Sequence, residues 1–241
     1  MKMKTIGVAT VVIALVVAFT GIVSADPDGV AGNATDPVTK PTVAAGQDDA
    51  QGGYITGFDL TVMQQTAKWQ GYYGNITAEI TLDDDNSATM YNWTTAAPAG
   101  EVYATTLSTL PAWSNFTYNA SLSAVDTAYG FVSGESDNTA ETFSLTTHTA
   151  FYLASNDIAA GVGQCAKTYE GPSNTGDWET VILWDGDGTA TGDYLFAGII
   201  RDNTASYKNT NETPDTCDYQ MIVPENPLNG TTTYYFYAEL T

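Results

Sequence analysis

From Lys68 to Trp93 the chain reads KWQGYYGNITAEITLDDDNSATMYNW, and its apolar residues fall at every second position. Ile76, Ala78, Ile80 and Leu82 alternate with Asn75, Thr77, Glu79 and Thr81, the period of a strand with one buried and one wetted face. Asp83, Asp84, Asp85, Asn86 and Ser87 then supply turn-forming side chains that resist burial, and a second strand follows to Trp93. The pattern predicts a hairpin with an acidic, solvated tip.

The same periodicity predicts further strands along the chain. Tyr54 to Thr66 reads as a first strand, Glu101 to Leu107, Trp113 to Leu122 and Ala128 to Val132 as later ones, and Glu141 to Leu153 as one long or bent strand. Trp178 to Trp184, WETVILW, has the uninterrupted apolar character of a central strand, turned by Asp185 to Gly188 and returned by Tyr194 to Ile200. Tyr219 to Val223 is short. Thr232 to Leu240 closes the chain, with Tyr234, Phe236, Ala238 and Leu240 on one face and Tyr235, Tyr237 and Glu239 on the other. No long amphipathic helix is predicted. Ten to twelve strands at this spacing point to an all-β fold, a β-sandwich of antiparallel sheets with long loops.

Two stretches lie outside that domain. Residues 1–25 pair a short basic leader, Lys2 and Lys4, with an apolar run from Ile6 to Val23 and small residues at Val23-Ser24-Ala25, the layout of a signal peptide. The run approaches the lower limit for a bilayer span, so a retained anchor is the alternative. Residues 26–53 are polar and rich in Pro, Gly, Ala and Asp, a linker or extended arm that either sheathes its own domain or pairs with a neighbouring subunit. The β domain is expected over 54–241.

Charge narrows the function. The formal net charge is −21, from 7 basic and 28 acidic residues; the leader holds two of the basic ones and no acidic one, leaving 5 against 28, or −23, after cleavage. No basic patch exists to neutralise phosphates, which argues against nucleic acid and anionic lipid as partners. Seven Asn-x-Ser/Thr triplets begin at Asn33, Asn75, Asn92, Asn115, Asn119, Asn211 and Asn229 and mark candidate glycosylation sites of an exported, cell-surface or extracellular chain. Cys165 and Cys217 suggest one disulfide, closing a loop of about 50 residues and worth on the order of 4 kcal/mol. Two buried thiols are the alternative.

Candidate chemistry is sparse. Asp185, Asp187 and Asp193 offer alternating carboxylates on a Gly turn that suit a structural calcium ion, although a plain hairpin turn explains them equally and the EF-hand pattern fails. The single histidine, His148, sits on a predicted strand, and no Gly-x-Ser-x-Gly elbow occurs. Glu79, Glu101, Glu141, Glu170 and Glu179 provide carboxylates for a glycosidase pair, with Trp178 or Trp184 as a platform, but 28 acidic residues make such availability uninformative. Adjacent aromatics of opposite parity, Tyr72-Tyr73 and Tyr234-Tyr235-Phe236-Tyr237, place rings on both faces of their strands, and the second face then needs another sheet, a neighbouring subunit, sugar or water.

The Lys68–Trp93 segment resembles one found in secreted or cell-surface β-rich proteins of archaea. The matching residues are Trp69, Gly71, Tyr72, Tyr73, Gly74, Asn75, Leu82, Asp83, Tyr91 and Trp93, over about 26 residues. The resemblance implies an archaeal envelope or appendage protein and brings no catalytic residues. The expectation is a non-catalytic structural subunit of the cell surface or of an extracellular filament, self-associating or joined to other envelope proteins and requiring no cofactor. The alternatives are a surface carbohydrate-binding module and, third, a carboxylate-dependent glycoside hydrolase.

Overall fold

The computed structural model describes residues 26–34, 40, 44–94, 97–109, 112–171, 175–186, 193–208, 215–226 and 230–241. The leader expected over 1–25 lies outside them. So do Asp187, Asn211 and Asn229.

The described residues are mostly β. The centre is a six-stranded antiparallel sheet built from β1 (Asp28–Gly29), β14 (Tyr235–Leu240), β5 (Gly100–Thr105), β10 (Tyr194–Ile199), β9 (Thr175–Trp184) and β8 (Cys165–Glu170), in that spatial order. WETVILW lies in β9 beside β10, with Trp184 opposite Tyr194. Both faces are covered, which explains the long apolar run Val181–Trp184 and its partner β10. Ile182, Phe196, Val102 and Ala104 point to one core; Val181, Leu183, Leu195, Ala197 and Tyr103 point to the other. The parity expected for the closing strand holds, since Tyr234, Phe236 and Leu240 pack on the first core and Tyr237 on the second.

The covering layers differ from two broad stacked sheets. On the first face lie a two-stranded ribbon, β2 (Trp69–Gly74) with β13 (Tyr219–Pro224), and the helix α1 (Leu122–Tyr129). Over the second lie the 3-10 turn Trp113–Asn115 and the hairpin β6 (Phe151–Leu153) with β7 (Asn156–Ile158). A small pair, β11 (Thr204–Ala205) with β12 (Thr216–Cys217), sits between β10 and β13 in sequence. Among the described residues no helix is long and apolar enough to cross a membrane.

Several expected strands fold otherwise. Trp113 to Leu122 forms the 3-10 turn and a loop leading into α1; it pairs with β9 through the isolated bridge Thr117–Trp184, and Trp113 and Phe116 pack in the second core. Ala128 to Val132 overlaps α1, whose Val125 and Tyr129 share the buried face while Gly130 stops the helix at φ 70°. Glu141 to Leu153 is split between α2 (Thr139–Thr142), capped by the Asn138 side chain accepting from the Glu141 N–H at 2.9 Å, and β6. Short helical turns are invisible to a period-2 reading. Only the start of the arm lies on its own sheet, where β1 pairs with β14 (Asp28 opposite Ala238) along that edge.

The expected disulfide is not formed: Cys165 and Cys217 are free and buried. Cys165 packs with Val181 in the second core, whereas Cys217 leads into β13 in the layer on the first face. The sheet stands between them, and a bridge needs Cα atoms within about 7 Å.

Candidate assembly surface

The Lys68–Trp93 stretch is two structures rather than one hairpin. Its first part is β2, fixed in the ribbon. Its second part is a separate hairpin, β3 (Glu79–Asp83) with β4 (Thr89–Thr94), on which every residue is exposed. The expected buried face is therefore a correction. Ile80 stands opposite Trp93 and Leu82 opposite Tyr91, so these four side chains share one face, yet Ile80 is 43% and Trp93 50% exposed. The Tyr91 and Trp93 rings meet edge to face, 4.8 Å apart at 65°.

Met90 apart, the opposite face of the hairpin is polar. Glu79 accepts a hydrogen bond from Asn92, and Thr81 donates to Asp83 at 2.8 Å. Hydrogen bonds from Thr89 and Thr81 hold the Asp83 carboxyl below its ordinary range. At the tip, Asp84 accepts from the N–H groups of Asn86 (2.9 Å) and Ala88 (2.8 Å), with Ser87 at φ 61°. This acidic turn is closed by its own backbone.

A second apolar surface lies just upstream. Tyr54, Ile55, Phe58, Leu60, Val62 and Met63 are each more than half exposed, and the segment, expected as the first strand, pairs with no strand. It is the returning limb of a two-limbed arm. The Lys40 N–H donates to Gln65 at 3.1 Å and the Lys40 ammonium to the Met63 carbonyl at 2.8 Å; the Phe58 ring approaches Gly46; and the Tyr54 N–H donates to Gln51 at the bend. Of the nineteen exposed large apolar side chains among the described residues, eleven belong to this limb or the hairpin, which makes the stretch a concentrated surface rather than ordinary scatter.

The two surfaces leave β2 from opposite ends. Beside Trp69, Asp137 clamps the root of the arm, accepting from Thr66 (2.7 Å), from Lys68 (2.5 Å) and, through its carbonyl, from the Trp69 indole (2.8 Å). Glu135 joins Lys68 at 2.6 Å. Beyond Gly74, the Asp218 carboxylate accepts from the Ile76 N–H at 2.7 Å and sets the base of the hairpin.

The catalytic candidates are placed elsewhere, in structural roles. Glu179 is buried between Lys167 (3.1 Å) and Arg201 (3.7 Å) and accepts from the Thr149 N–H (2.9 Å). Burial raises its pKa, but hydrogen bonds from Thr149 and Lys167 outweigh it and leave the carboxyl below its ordinary value. Glu101 faces Glu239 across β5 and β14, both 4% exposed, a buried pair that sequence parity alone left unseen. Glu239 accepts from the Ala154 N–H (2.9 Å) and the Tyr103 hydroxyl (3.4 Å), so the β6–β7 hairpin roofs the pair. Burial, reinforced by the Glu239 carboxylate, pushes Glu101 up to about 8. Glu79 and Glu141 are exposed on separate elements. Two surface depressions, one against Tyr72 and Tyr234 and one against Phe116 and Tyr118, carry a single carboxylate each, Glu225 and Asp157. His148 is buried; its Nε2 accepts from the Gly163 N–H (3.1 Å), so Nδ1 carries the proton and donates to the Thr149 carbonyl (2.8 Å).

Asp185 and Asp193 face each other at the base of the β9–β10 loop, where the Asp185 N–H donates to the Asp193 carbonyl at 3.3 Å. Among the described residues no group of three or more His, Cys, Asp or Glu could hold a metal ion. Asn33, Asn75, Asn92, Asn115 and Asn119 are all exposed, and Asn92 sits on the polar face of the hairpin, opposite Thr81. Comparison of the chain with protein families, curated proteins and solved structures finds no match.

Proposed function

We propose that this chain is a non-catalytic structural subunit of an archaeal cell surface or extracellular filament, exported, glycosylated at exposed asparagines and built to associate with copies of itself. The observation that carries this reading is the pairing of a well-filled core with a hairpin and an arm whose large apolar side chains remain in water. Covering those side chains on association supplies the driving force, about 25 cal/mol per Å² of apolar surface removed. The edge-to-face arrangement of Tyr91 and Trp93 presents no flat platform for a sugar ring, which favours association over carbohydrate binding. The roofed Glu101–Glu239 pair and the ion-paired Glu179 are closed to a sugar, which disfavours a hydrolase built on these carboxylates. No cofactor is needed for this role, calcium at the Asp185–Asp193 loop included.

Electron microscopy of the purified full chain over a concentration and salt series tests the reading. Ordered oligomers or filaments are expected, growing with salt as the formal charge of −21 is screened. A single monodisperse species under all conditions contradicts it.

A further inference from the structure

The proposed role leaves open which contact joins one copy to the next, and the placement of the arm and the hairpin answers it. Both are two-limbed and each exposes large apolar side chains. On the arm, Tyr54, Phe58, Leu60 and Val62 share one strand parity; on the hairpin, Ile80, Leu82, Tyr91 and Trp93 share one face. A lone two-stranded hairpin is marginal in water and gains stability when its apolar face is covered. An extended segment laid across that face covers it as one layer of a sandwich covers the next, about 10 Å away. Edge-to-edge strand addition would leave both apolar faces wet, so face packing is the arrangement that buries them.

Within one chain the apolar side chains of both the arm and the hairpin remain exposed. The arm and the hairpin leave opposite ends of a six-residue strand, about 17 Å apart by the strand rise, with both roots clamped to the domain by Asp137 and Asp218. A contact between two different patches is heterologous and joins copies head to tail, into a ring where the rotation closes and a filament where it does not. The surface is large enough. The four arm side chains of one parity and the four on the hairpin face supply, at roughly 100 Å² each, about 800 Å² of apolar surface, in keeping with a specific interface in which apolar atoms make up somewhat over half of about 1,200–2,000 Å². The acceptor Asn92 stands on the polar side of the hairpin, so a glycan there leaves the apolar face open.

We propose that the arm of one copy lies across the apolar face of the β3–β4 hairpin of the next copy, joining copies head to tail. This rests on the self-association proposed above and specifies its contact.

The test uses the full chain, expressed so that any leader processing proceeds, and two variants. Leu60→Glu spoils the arm and leaves the hairpin intact; Trp93→Glu spoils the hairpin and leaves the arm intact. Leu82→Glu serves as a second hairpin variant, and urea unfolding midpoints equal to wild type establish that the domain is folded in whichever variants are used. Each variant alone is expected to raise the critical concentration for assembly at least tenfold. Mixed in equal amounts, the two are expected to form one-to-one dimers by sedimentation velocity and nothing longer, because one good arm and one good hairpin remain per pair. Wild-type assembly with either variant assembling at wild-type concentration, or a mixture that stays monomeric, overturns the proposed contact and leaves the structural role standing. Wild type that never assembles overturns both.

Discussion

Glu101 shows how a single buried acid sets a pH dependence. The neighbouring Glu239 is the better stabilised anion, since the Ala154 N–H and the Tyr103 hydroxyl donate to it, whereas the Glu101 Oε2 atom has no hydrogen-bond partner. The proton of the pair therefore resides on Glu101. Its folded pKa of about 8 lies above the ordinary 4.5, so the folded chain holds this proton more tightly than the unfolded chain does. Stability from this residue is full below about pH 4.5 and is lost as pH rises to about 8. Glu101→Gln removes that loss: relative to wild type the variant is expected to gain roughly 1–3 kcal/mol between pH 5 and pH 8, measured by urea unfolding at both values. Parallel pH profiles for the two proteins would show that Glu101 carries its charge in the fold. At this scale the sequence revealed residue identity and parity but not partners. His148 and Glu179 stand on paper as possible acid–base groups, and only tertiary neighbours, Gly163 for one and Lys167 with Arg201 for the other, show that both are occupied. Cys165 and Cys217 suit a bridge by count and compartment, and it is the intervening sheet that keeps them apart.

Elements were legible where burial imposes a simple period. β9, β10 and β14 stand close to where alternation or an apolar run put them, because a sheet covered on both faces selects such residues. The helices α1 and α2 were hidden, since eight and four residues give too few turns for an apolar stripe to stand out, and α2 depends on the local cap of Asn138. The hairpin was legible as a hairpin; its exposure was not, because alternation records which side chains share a face and says nothing of what covers it. Close approach between elements is equally unwritten. Gly100 opens β5 at φ 125°, and a methyl group there would meet the Glu239 carbonyl oxygen of β14 at 2.0 Å. Gly100→Ala is expected to destabilise the chain by at least about 3 kcal/mol, through strain in the left-handed region and displacement of β14. Gly32→Ala, with nothing within 4 Å, serves as the neutral control in the same unfolding assay. Equal midpoints for Gly100→Ala and wild type would refute the tight β5–β14 register.

The whole molecule is a doubly covered β sheet carrying two apolar appendages on opposite ends of one strand. Under the proposed assembly its acidity opposes contact at low salt while the arm and the hairpin favour it, so raising the ionic strength is expected to tip the balance toward assembly. Composition and glycosylation triplets suggested a surface protein that packs against another molecule; the adjacent aromatics that prompted that expectation, Tyr72 and Tyr73, turn out to be largely satisfied within the chain, by Phe236 and Tyr207. The exposed apolar surface lies on either side of them. Amide hydrogen exchange followed by mass spectrometry, comparing dilute and assembled full-length chain, tests this account most directly. Residues 54–63 and 79–94 are predicted to exchange rapidly when dilute and to become protected together on assembly. Assembly with both segments still exchanging at their dilute rates would contradict the claim that they are what joins the copies.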